Sequence, residues 1–92
     1  MTVRVVLPGL RSHVDGAREV AVAGDNVRSA LYELIRTHPS LADVELLNAD
    51  GDLNWFVQVF KNDVSVRDLD FGLEEPLSDD DRLVVLFAMA GG

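Results

Sequence analysis

The residues best suited to do chemistry are the last two, Gly91 and Gly92. They follow an apolar run, Leu83 to Phe87, and the short stretch Ala88-Met89-Ala90. Glycine carries no side chain, so an extended diglycine stalk can thread a narrow cleft and bring its backbone close to a nucleotide. A free carboxylate is a poor electrophile. Adenylation by ATP turns one of its oxygens into part of a leaving group, and a sulfur nucleophile can then displace AMP. In that scheme Gly92 is the group acted upon, Gly91, Ala90 and Met89 present it, and a partner supplies the catalysis. Two adjacent glycines at a chosen place arise by chance in about one chain in 200. The plain alternative is an end that happens to be glycine.

The remaining residues hold no competing constellation, so no catalytic residue, bound cofactor or metal is expected. His13 and His38 fall in a loop and at a helix end, with no His or Cys partner at ligand spacing. The serines lack a nucleophile elbow, and Gly24 precedes a helix without the Gly-Lys part of a phosphate loop. Asp50, Asp52 and Asn54 alternate like the start of a calcium loop, but the glycine and terminal glutamate of that motif are missing. There is no cysteine, which removes disulfides, thiolate metal sites and iron–sulfur electron transfer.

Sixteen acids against eight bases give a net charge of −8. Nucleic-acid binding rests on Lys and Arg neutralising phosphates, so no nucleic-acid partner is expected. An acidic chain suits a basic protein partner. No basic-then-apolar leader is visible at the start, and no apolar run approaches the roughly 20 residues that span a bilayer. A cytoplasmic protein without a membrane partner is the expectation.

The elements that would carry the diglycine can be read in order. Val3, Val5 and Leu7 alternate with Thr2, Arg4 and Val6, a strand ended by Pro8-Gly9. Leu10 to Gly16 read as a loop and Ala17 to Ala23 as a second strand. Asn26, with Asp25 as the alternative, caps a helix whose apolar face is Val27, Ala30, Leu31, Leu34 and Ile35. Arg28, Glu33 and Arg36 face away, and His38-Pro39 ends the helix. The stretch 40–54 reads as a short helix or an extended piece. Phe56 to Lys61 make a third strand, with Phe56, Gln58 and Phe60 on one face. Asn62-Asp63 make a tight turn and Val64 to Val66 a short fourth strand. Ser78 to Asp81 read as a solvated acidic turn before the last strand.

One helix with one apolar face must pack on one face of one sheet. The last strand is apolar at nearly every position, as a central strand should be, and Val6 makes the first strand its natural parallel neighbour. This is an α+β chain of the β-grasp, or ubiquitin-like, type. It has a mixed sheet of four to five strands, one main helix on one face, and a single domain over 1–92 with a flexible tail 88–92. Val6, Phe60, Val84, Leu86 and Phe87 are then candidates for a partner-facing apolar patch. The alternative is that 40–54 folds across it.

Residues Thr2 to Gly92 resemble the small ubiquitin-like sulfur carriers of the ThiS/MoaD family. The likeness lies in the helix entry Gly24-Asp25-Asn26-Val27-Arg28-Ser29-Ala30-Leu31, the acidic turn Leu77-Ser78-Asp79-Asp80-Asp81-Arg82-Leu83, and the final Gly-Gly. Phe56 to Asp63 and Ala88 to Gly92 look most like the CysO-type members, which donate sulfur for cysteine synthesis. Many members carry a proline shortly before the tail, where this chain has Phe87-Ala88. The resemblance implies adenylation and thiocarboxylation at Gly92 by an E1-like adenylyltransferase/sulfurtransferase that uses ATP. It also implies delivery to a sulfur-accepting biosynthetic enzyme, in a pathway to cysteine, molybdopterin, thiamine or a related metabolite. Two other readings compete: a modifier joined to lysines through Gly92, and an interaction domain with an inert tail.

Overall fold

The computed structural model describes residues 2–87, so the tail 88–92 lies outside the described residues. Five strands and one α-helix follow one another along the chain: β1 (Thr2–Val6), β2 (Val20–Ala23), α1 (Val27–Thr37), β3 (Val57–Lys61), β4 (Val64–Ser65) and β5 (Arg82–Phe87). The sheet order is β2-β1-β5-β3-β4. β1 and β5 pair in parallel at the centre, and the other pairings are antiparallel. This is the mixed β-grasp sheet that the apolar last strand and Val6 imply.

The helix begins where its capping chemistry dictates. Asn26 Oδ1 accepts from the backbone N–H of Ser29 at 2.8 Å, and Ser29 Oγ accepts from the N–H of Asn26 at 3.1 Å. Two of the otherwise unpaired first-turn amides are thereby satisfied reciprocally. Val27, Ala30, Leu31 and Leu34 are fully buried, and Ile35 packs at the margin. Pro39 stops the helix and opens a 3-10 turn, Pro39–Val44.

The core forms between α1 and one face of the sheet. Val3, Val5, Val22, Val57, Val59, Leu83 and Val85 point into it from the strands. Among the described residues no polar or charged residue is buried. The second strand starts at Val20 rather than Ala17, because a 3-10 turn, Arg11–Val14, uses Val14 as a further core residue and lengthens the connection. Val66 belongs to a 3-10 turn and not to β4, which ends at Ser65. Asn62 and Asp63 both have positive φ (48° and 73°), as a two-residue hairpin turn requires.

Gly24 has a packing role. A Cβ built on it would lie 2.7 Å from both Cα and N of Ala30, a backbone contact that cannot swing aside. The β2-to-α1 corner therefore closes only over a residue without a side chain. Gly24→Ala is expected to cost about 1–3 kcal/mol, from overpacking against fixed backbone. Urea denaturation would read this as a lower midpoint at unchanged slope, and an unchanged midpoint would contradict the contact.

Candidate functional site

The site is built on β5, the strand that leads towards Gly91-Gly92. Along β5 successive side chains alternate between faces. Leu83, Val85 and Phe87 turn to the helix, while Val84 and Leu86 turn to the other side of the sheet. The register places Phe60 of β3 and Val6 of β1 directly opposite Val84. An apolar row Phe60–Val84–Val6 thus crosses three strands. Leu86 stands beyond it towards the tail, beside Gln58. Val6, Val84 and Phe60 are half-buried and Leu86 is 36% exposed.

The segment 40–54 does not fold across this row. Leu41, Leu46 and Leu53 enter the helix-side core, and the 3-10 turn that carries Leu41 packs on α1. A hydrophobic residue is drawn to the larger apolar volume, and that lies between helix and sheet.

Phe87 must be separated from the other four candidates. It packs against the helix-side core, edge-on to Phe56 with ring centroids 5.6 Å apart at 77°. Phe56 precedes β3, so the strand's alternation does not govern it, and it turns towards the core instead of joining Phe60. Trp55 in turn stands edge-on to Phe56 at 5.6 Å and is 78% exposed. Trp55, Phe56 and Phe87 form an aromatic flank where β5 ends. Sequence reasoning passes over Trp55, although a tryptophan beside Asn54, outside the strand period, is an unusual surface choice.

At the opposite end of β5 the acidic turn proves to be a clasp. Asp79 Oδ1 accepts from the N–H of Thr2 at 3.0 Å, and the carbonyl of Asp81 accepts from the N–H of Arg4 at 3.1 Å. Asp81 Oδ2 accepts from the N–H of Ser78 at 2.8 Å, and Oδ1 accepts from Asn62 Nδ2 at 2.9 Å. The Ser78 amide chiefly, then Asn62 and Lys61, hold the Asp81 carboxyl below the usual carboxylate range against the opposing pull of burial. A depressed folded-state pKa stabilises the fold above the unfolded value, here 3.8. That contribution is lost as pH falls from there through the lower folded value. Asp81→Asn is therefore expected to remove about 1–2 kcal/mol near neutral pH and to flatten the acid limb of the stability curve. Urea midpoints of both proteins at pH 7 and below pH 3.8 check this, and parallel curves would refute it.

A strap over residues 72–77 joins this clasp to the helix. The carbonyl of Glu75 accepts from the N–H of Val27 at 3.2 Å, and the N–H of Leu77 donates to the carbonyl of Asp25 at 2.9 Å. Arg28 pairs with Glu74 at 2.9 Å and donates to the carbonyl of Gly51. Among the described residues no group of three or more His, Cys, Asp or Glu is placed to hold a metal. Nor is any helix among them long and apolar enough to cross a membrane. His13 bonds Ser40 Oγ at 3.0 Å and His38 bonds Thr37 Oγ1 at 3.1 Å, so each is engaged locally with a hydroxyl.

A β-grasp sheet with one helix, an open apolar row on its outer face and a central strand running to a diglycine defines a ubiquitin-like carrier or modifier protein. The model of the ThiS family matches residues 5–92. The chain belongs to the ThiS family. It is similar to a chain in the crystal structure of the BexX/CysO complex of Amycolatopsis orientalis, at 33% identity and a TM-score of 0.84, covering 98% of this chain and 99% of that one. It is also similar to CysO of Mycobacterium tuberculosis, at 29% identity and a TM-score of 0.82, covering 95% and 99%. The small archaeal modifier protein 1 of Methanosarcina acetivorans shares 27% identity at a TM-score of 0.82, covering 99% and 96%. No curated protein matches the chain.

Proposed function

We propose that this chain is a sulfur carrier whose working group is the carboxylate of Gly92. A carboxylate oxygen attacks the α-phosphorus of ATP on an E1-like enzyme, pyrophosphate leaves, and an acyl adenylate forms. A sulfur nucleophile then adds to the carbonyl carbon, the bond to AMP breaks, and a thiocarboxylate results. The sulfur passes to a biosynthetic enzyme making cysteine, molybdopterin, thiamine or a related metabolite. The carrier binds no cofactor of its own, and the activating enzyme uses the ATP. The observation that carries this reading is the ThiS-family match, which runs through the diglycine to residue 92.

The open row Val6, Phe60, Val84 and Leu86 is the docking face, and Trp55 with Phe87 lies at the end of β5 on the helix side. The CysO relative occurs in a complex with BexX, which favours a protein partner for this chain too. Mass spectrometry of the intact protein from its own cells tests the proposal. A mass gain equal to exchange of one oxygen for sulfur is expected, and it should vanish when Gly92 is deleted. A native C-terminus that carries only oxygen under sulfur demand would overturn it.

The likeness to small archaeal modifier protein 1 favours a second reading, in which an amine captures the same acyl intermediate. Higher-mass conjugates in lysate that depend on Gly92 would select that reading.

A further inference from the structure

Lys61 is the only lysine among the 92 residues, and the other bases are arginines. It is the last residue of β3, on the core side of the strand with Val57 and Val59, and it pairs with Leu83 at the start of β5. The strap meets it there. Nζ donates to Glu75 Oε2 at 2.9 Å and lies 3.9 Å from Asp81 Oδ2. The side chains of Lys61, Glu75 and Asp81 are 19%, 19% and 16% exposed.

We propose that this chain is an acyl donor that cannot serve as its own lysine acceptor: its one side-chain amine is withheld, so copies do not link to copies through a lysine. The inference rests on the reading that Gly92 is activated. An amine captures an acyl adenylate only as the free base. The nitrogen lone pair attacks the carbonyl carbon, a C–N bond forms, the C–O bond to AMP breaks with its electron pair, and the nitrogen releases a proton to solvent. Guanidinium groups stay protonated and do not compete. Lys61 must first leave its ion pair with Glu75 and then swing out from beside the strap. A solvated surface lysine has no such pair to break. Lys61 also sits at the far end of β5 from the tail, about 13 Å from Phe87 along the strand. Any lysine-linked conjugate this protein forms would therefore carry single copies and not lysine-linked polymers.

The test uses the full chain with Arg18→Lys, which places a second lysine at an exposed position. The protein is treated with the N-hydroxysuccinimide ester of acetic acid, and acetylation is followed by peptide mass mapping. Lys61 is expected to react at least about tenfold more slowly than the introduced lysine, because its hydrogen bond to the Glu75 carboxylate must break first. A smaller gap overturns the proposal. Adding Glu75→Gln should raise the Lys61 rate alone, and an unchanged rate would also count against withholding by the ion pair. Both lysines sit in one folded molecule, so the comparison holds even if that second variant is unstable. The ester needs no activating enzyme. Fast acetylation of Lys61 would defeat this inference and leave the carrier reading intact, whereas an unactivated Gly92 in cells would do the reverse.

Discussion

Leu86→Asp combined with Val84→Thr is expected to reduce kcat/KM for C-terminal activation by about a hundredfold, while circular dichroism and the urea midpoint show a folded protein. The two residues stand on the outer face of β5, on the sheet's open apolar row, and Leu86 is the one nearest the tail. Interfaces concentrate their binding energy in a few apolar anchors, and truncating one costs about 2 kcal/mol or more. A hundredfold loss corresponds to about 2.7 kcal/mol. Threonine keeps the shape of Val84 and its liking for strands, so it removes apolar surface without unpicking the sheet. Aspartate at Leu86 adds a charge that contact with an apolar partner would strand without water. Activation at the wild-type rate by the same enzyme would move the docking face elsewhere, with the aromatic flank of Trp55 and Phe87 the next surface to alter.

The largest loss of stability is expected from Leu34→Ala, at about 3 kcal/mol. Leu34 is fully buried on the inner face of α1. Truncating it removes transfer energy and leaves a void that the β-sheet wall cannot collapse to fill. For a chain of this size that is a fall in Tm of roughly 15 °C. Arg36→Ala, two residues on and exposed, should stay within about half a kcal/mol. A Leu34 variant as stable as the Arg36 one would mean that the helix is not seated on the sheet as described.

The parts of the fold written in local rules could be read without coordinates. Asn26 with Ser29 at the right distance is a cap whatever else the chain does. The Val27, Ala30, Leu31, Leu34 stripe has one period and one way to be buried. Val6 breaks its strand's alternation because both faces of the central pair carry apolar side chains. What escaped reading is long-range. Asp79 and Asp81 look solvated beside their sequence neighbours, but their partners are Thr2 and Arg4 on β1, Lys61 on β3 and Asn62 in the turn after it. The strap 72–77 has no period, because 3-10 turns and Pro76 follow contacts with α1. Phe56 and Phe87 were misplaced for a related reason. The strand begins one residue after Phe56, so the alternation of Val57 to Lys61 does not reach it, and Phe87 shares the helix-side face of β5 with Leu83 and Val85. At the site, the open row was legible in Val6, Val84 and Leu86, but the aromatic flank beside it was not.

The strand order also sets a timetable for synthesis. β5 is translated after every other strand, yet it lies between β1 and β3. Until residues 82–87 emerge, a nascent polypeptide holds two hairpin-like halves, each with a bare edge of amides and carbonyls facing an empty slot. Pairing over that separation is slow, and such edges attract other chains. Translation therefore completes the sheet only when residues 82–87 emerge. A product broken off before Arg82 lacks the strand that joins β1 to β3, so it cannot close the sheet and is left to proteolysis.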